Sequence, residues 1–191
     1  MRPSALRSSL SMHDRKSWVA ELLNELARSG PTGRETAHYV RAKKIRVGVR
    51  RQSSGARWAL GRRIDLSPRY VDSSPGSPYA LSLVVHEIQH LKQGPLTALS
   101  VYGELEAWQI QFRYLLEIAG GYAGVPGQVA VIRELLQLPL GWDRVALQAA
   151  RGLMRQYAGK AYRVDLLPLY PLHREMLYWL FRLRPKLATA R

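Results

Sequence analysis

The sequence predicts an α+β fold: a small antiparallel sheet packed on two neighbouring helices, with a helical extension after them. Two periodicities predict it. Between Lys44 and Leu66, apolar residues alternate with polar ones and turn residues intervene, the pattern of half-buried strands. From Pro78 onward, apolar residues recur every three or four positions, the pattern of helices. A third observation sits inside the first of those helices: the run His86-Glu87-Ile88-Gln89-His90.

In chain order, residues 1–11 read as a disordered basic tail, and Met12 stands as an alternative start. A helix over about 14–28 carries Trp18, Val19, Leu22, Leu23 and Leu26, with Asp14 as its N-cap and Gly30-Pro31 as its end. Residues 31–42 are polar and read as irregular or helical in part; His38 falls here and is not read as a ligand. Ile45, Val47 and Val49 mark a first strand, Arg57 to Leu60 a second, and Arg63 to Leu66 a third. The Arg on the solvent face of this sheet would keep it soluble and blunt its edges. After a Ser-, Pro- and Gly-rich loop, Ser77-Pro78 opens a helix over about 78–93 that stops at Gly94-Pro95. A helix over about 97–119 returns beside it, with Val101, Leu105, Trp108, Phe112, Leu115 and Ala119 as its core stripe. Helices are then expected over 128–138, 144–157 and 172–183, with Tyr162-Arg163-Val164 extended between the last two. The expected organisation is a core over 12–125 and a helical part of the same domain over 126–191.

Composition narrows the chemistry. The 191 residues contain no Cys, so disulfides and Cys-type zinc or redox sites are excluded. Lys and Arg number 29 against 14 Asp and Glu, a net charge of +15 that suits acidic partners. No nucleic-acid motif and no aromatic platform accompanies that charge. No apolar run reaches the length of a membrane span, and the N-terminus lacks the apolar core of a secretory signal, so a cytoplasmic protein is expected.

Residues four apart on a helix lie one turn apart on one face, so His86 and His90 can offer ring nitrogens to one point. Two imidazoles so placed are half of a tetrahedral zinc site. Glu87, rotated off that face, is placed to take a proton from a water on the metal. A returning helix brings a third ligand level with the pair about six or seven residues after the turn. Glu104 meets this condition and borders the core stripe; Glu106 overshoots and points away, and stands as the alternative.

At His86–His90 and Glu104–Trp108 the sequence resembles the HExxH zinc metallopeptidases of the gluzincin type. In that group the third ligand is a Glu on a later helix, in an E-x-x-A-D or E-x-x-x-D pattern. Here the run is Glu104-Leu105-Glu106-Ala107-Trp108. The Glu and the Ala match, and Trp108 replaces an Asp that normally orients a zinc-bound His, so another group must do this. The short spacing is similar to that of small gluzincin-like domains of uncharacterised bacterial and phage-type proteins. The resemblance covers roughly residues 44–120. It implies a zincin-like fold and a Zn2+-dependent hydrolase acting on a peptide or protein substrate. Zinc would be held by His86, His90 and Glu104, with Glu87 as general base. It also likens Arg63–Leu66 to the edge strand to which substrate adds in these enzymes. Tyr79, Tyr102, Arg113 and His173 are the candidate transition-state donors, although His173 better fits a surface or cap role. The competing reading is a regulatory module on a zincin-like scaffold, whose Arg-rich sheet docks nucleic acid or an acidic protein. Purely structural zinc ranks last, for want of a fourth ligand.

Overall fold

The structure, a computed structural model, describes residues 12–120, 126–159, 162–177 and 179–180. The basic tail expected over 1–11 and the end of the helix expected over 172–183 lie outside them. The chain forms two compact units, the first ending at Leu81 and the second beginning at Ser82.

In the first unit, α1 (Met12–Arg28) buries Trp18, Leu22 and Leu26, spaced one turn apart. The Trp18 indole N–H donates to the carbonyl of Ser73 at 3.0 Å, which ties the helix to the loop after the sheet. The stretch expected to be irregular or helical in part is helical throughout, as α2 (Gly30–Ala42). Its buried positions are Gly33, Thr36, Ala37 and Val40, a helical stripe of small residues that hydropathy reads as polar. Thr36 satisfies its hydroxyl by donating to the Thr32 carbonyl one turn back, at 2.8 Å.

The sheet holds β1 (Arg46–Val49), β2 (Ala56–Ala59) and β3 (Arg63–Leu66) in the order β1-β3-β2. It is mixed rather than antiparallel: β3 runs antiparallel to β2 but parallel to β1. Burial explains the order. Ile64 and Leu66 are buried on one face of β3 and Asp65 on the other, whereas β1 is exposed or half-buried throughout. A strand covered on both faces belongs in the centre. The expected edge role of Arg63–Leu66 is therefore corrected: β3 has a neighbour on each side, and its backbone cannot accept an added strand. Arg63 is also not a free surface cation, since its guanidinium grips the buried Asp65 carboxylate at 2.7–2.8 Å.

The motif helix α3 (Pro78–Gln93) has the expected limits, with Gly94 at φ 75° after it. The returning helix is not continuous from Thr97. A single turn, α4 (Pro95–Ala98), is followed by a break, and α5 (Val101–Ala119) starts afresh behind Ser100. Ser100 is its N-cap, accepting from Gly103 N–H at 3.0 Å. Two hydrogen bonds show that α5 runs back along α3: Gln93 to the Gly103 carbonyl at 2.9 Å, and Gln111 to the Ser82 hydroxyl at 3.4 Å. Val101, Leu105, Trp108, Phe112 and Leu115 of α5 enter one apolar core with α6 (Pro126–Gln137) and α7 (Arg144–Ala158). Val164 closes that core from a 3-10 turn over Arg163–Leu166, where an extended segment was expected. Residues 172–177 are helical. No helix among the described residues is long and apolar enough to cross a membrane.

Candidate metal centre

His86 and His90 present their rings on successive turns of α3, with centroids 4.7 Å apart and planes at 81°. Both residues are buried. Their Nε2 atoms face each other at 3.0 Å. From the first turn of α5, Glu104 adds a carboxylate whose Oε1 lies 3.6 Å from His90 Nε2 and whose Oε2 lies 3.7 Å from His86 Nε2. Bonds of about 2.0–2.1 Å to a tetrahedral ion place its ligand atoms about 3.3 Å apart. The nitrogen pair at 3.0 Å and the His90–Oε1 separation of 3.6 Å fall on either side of that value, and one donor atom from each of the three residues lies within 4.8 Å of the others, so the set can hold a metal ion. Glu106, two residues on, points elsewhere; its Oε2 accepts from Gln93 Nε2 at 2.9 Å. Among the described residues, His86, His90 and Glu104 are the group of His, Asp and Glu side chains able to hold a metal ion.

This is a gluzincin-type HExxH arrangement. It is consistent with the active site of a zinc-dependent hydrolase. No family model, curated protein or solved structure matches the chain, so the assignment rests on the site itself.

Glu87, the remaining motif residue, is buried, and its charge acts on both His90 and Tyr162. The electrostatics separate the two histidines. Burial, helped by the neighbouring His90, lowers the pKa of His86 to about 4. Burial would also lower that of His90, but contact with Glu104 and the charges of Glu104 and Glu87 outweigh it and raise it above the usual imidazole value. For Glu104, burial favours the neutral acid. Contact with His90 and His86 and a hydrogen bond from Tyr162 reverse this and lower its pKa to about 2.

Trp108 stands where the resemblance leads one to expect an Asp, which left open which group orients the histidine rings. For His90 it is Gln93, one turn further along α3. Gln93 Oε1 lies 3.1 Å from His90 Nδ1, and its amide N–H groups are held by the Gly103 carbonyl and Glu106. An amide oxygen only accepts, so Nδ1 carries the proton and Nε2 is the ring atom left to face the centre. His86 Nδ1 is buried and makes no hydrogen bond among the described residues, although the Ala107 carbonyl and Gln111 favour its protonated form. Trp108 acts on the other side of the site. Its indole N–H donates to the Tyr162 hydroxyl at 2.9 Å, and that hydroxyl donates to Glu104 Oε2.

Tyr162 was missed by sequence reasoning. It lies 58 residues from Glu104, and no local spacing joins them. The expected donors are placed differently. Tyr79 is an exposed residue of the first turn of α3. Arg113 donates to Gln109 at 3.0 Å. Tyr102, stacked on Trp142 at 4.6 Å, lines a cleft with His173, Gln93 and Glu106.

Proposed function

We propose that the chain is a zinc metallopeptidase that cleaves peptide bonds with a water activated by Glu87. The observation that carries this reading is the convergence of His86, His90 and Glu104 on one point, with the buried carboxylate of Glu87 beside them. His86 and His90 would each give Nε2, and Glu104 a carboxylate oxygen. When bound, zinc supplies a Lewis acid that lowers the pKa of water toward neutrality and polarises a carbonyl. The rest falls to the chain. The Glu87 carboxylate takes a proton from the attacking water and returns it to the leaving amine. Burial of the cluster strengthens each of these charges by excluding water. Gln93 holds the His90 ring so that its proton stays on Nδ1. Peptide as the substrate class rests on the likeness of the site to gluzincins.

The test is Glu87→Gln. The amide keeps the shape but is no base. Zinc content should equal that of the wild type, while hydrolysis of a mixed peptide library falls about 100- to 10,000-fold. Wild-type turnover by this variant would remove Glu87 from its role.

A further inference from the structure

Glu104 offers two oxygens to the centre at nearly equal distances, 3.6 and 3.7 Å from the facing nitrogens. The separations alone do not distinguish a carboxylate that gives one oxygen from one that gives both. The difference matters chemically. Two imidazoles and one carboxylate oxygen leave the fourth tetrahedral position open for water, whereas a second carboxylate oxygen would crowd it.

Resting on the metal-centre reading and deepening it, we propose that Tyr162, held by Trp108, ties back Glu104 Oε2 and so makes Glu104 a one-oxygen ligand. Tyr162 is thereby a positioning residue of the site. The direction of the relay is dictated by the groups in it. An indole N–H can only donate, so the Tyr162 oxygen must accept from Trp108. An ionised carboxylate can only accept, so the phenolic proton must go to Glu104 Oε2. Neither end can be reversed. The ring is fixed as well as the hydroxyl. It packs edge-on against Trp108, with centroids 5.4 Å apart and planes at 70°. The Tyr162 backbone donates to the Gly159 carbonyl at 3.1 Å and accepts from Val164 at 2.9 Å, and Val164 is anchored in the apolar core.

Trp108 lies four residues after Glu104 on α5, so both share one face of that helix. Its own ring is wedged among Phe112, Tyr157 and Tyr162 at centroid distances of 5.2–5.4 Å. Where the likeness to gluzincins leads one to expect a carboxylate acting on an imidazole, this chain has an indole. It acts, through a phenol, on the carboxylate ligand instead. With Oε2 engaged by Tyr162, Oε1 is the oxygen left for the ion.

The experiment compares cobalt(II)-loaded wild type with Tyr162→Phe, which deletes only the hydroxyl. Cobalt(II) absorbs visible light strongly when four-coordinate and weakly when five-coordinate. The wild type should show the strong spectrum. In Tyr162→Phe the freed Oε2 should also bind, and the absorption should weaken. Peptide turnover by the zinc form should fall about ten- to a hundredfold. Trp108→Phe keeps the phenol but not its orientation; it should shift the spectrum the same way and less far, and it reads the same relay if Tyr162→Phe does not fold. An unchanged spectrum in Tyr162→Phe overturns the proposal and leaves the metal centre standing. Complete loss of cobalt from a folded Tyr162→Phe also overturns it, since the hydroxyl would then govern affinity rather than coordination number. A wild type that binds no cobalt overturns the metal-centre reading beneath it.

Discussion

His90 carries its proton on Nδ1 because Gln93 offers only an acceptor there, and its Nε2 faces His86 across 3.0 Å. In the protein without an ion, two Nε2 atoms that close must share a proton between a donor and an acceptor. Below its raised pKa, His90 carries the second proton and is cationic, because burial holds His86, with a pKa of about 4, neutral. Glu104, with its pKa near 2, stays ionised and balances it. A metal ion must displace the proton before it can bind. The sign follows: below the raised pKa of His90, zinc affinity should fall about tenfold per pH unit, and above it the affinity should level off. Zinc titrations against a competing chelator at several pH values would show this, and an affinity that rises toward acid would contradict it. Two carboxylates can be separated by the same titration. Glu104→Ala should abolish tight binding, whereas Glu106→Ala acts only through Gln93 and should cost about tenfold. At this scale the sequence was informative where chemistry is local. His86, Glu87 and His90 lie within one and a half turns of one helix. Gln93, one turn after His90, was within reach of the same reasoning. Tyr162 was not, because only the tertiary fold brings it to Glu104.

The element that sets the carboxylate is the corner from α4 into α5. Spacing singled out Glu104 by assuming a helix from Thr97. The structure breaks the chain between Ala98 and Val101 instead, and α5 meets the end of α3 directly at Gly103. Glu104 thus arrives beside the histidines by a different path from the one assumed. Ser100 and Gly103 make the corner possible. A Cβ on Gly103 would lie 2.1 Å from the Thr97 carbonyl oxygen, so a side chain there forces the backbone apart. Gly103→Ala should cost about 1–3 kcal/mol in a denaturant titration and weaken zinc binding, because Glu104 is the next residue. Gly152, exposed within α7 and with open space around its Cβ position, is the counterpart. Gly152→Ala should raise stability by about 0.5–1 kcal/mol and leave zinc binding unchanged. The helices with large apolar stripes were legible in advance, though Asp14, expected as a cap, lies inside the first turn of α1 and α5 is capped by Ser100 rather than starting at Thr97. α2 was legible only in part, because its buried face is Gly33, Thr36, Ala37 and Val40. The strand order was not legible, since alternation in β1–β3 reports a buried face but not which strand lies between the other two.

Over the whole molecule, a metal centre couples folding to ligand. An ion that binds only the folded chain stabilises it by about 4 kcal/mol at a thousandfold excess over Kd. Zinc should therefore raise the melting temperature of the wild type and of Glu87→Gln, and leave that of His90→Ala where it was. The net charge of +15, read alone, suits an acidic partner. The site is the more specific feature, since charge sets a class of partner while two imidazoles and a carboxylate around one point set a chemistry. The most direct test is metal content by elemental analysis after equilibration with zinc and removal of the free ion. A metal centre at these residues predicts about one zinc per chain in the wild type and Glu87→Gln, and none in His86→Ala, His90→Ala or Glu104→Ala. A folded wild type that holds no zinc, or a Glu104→Ala chain that retains its full complement, would contradict it.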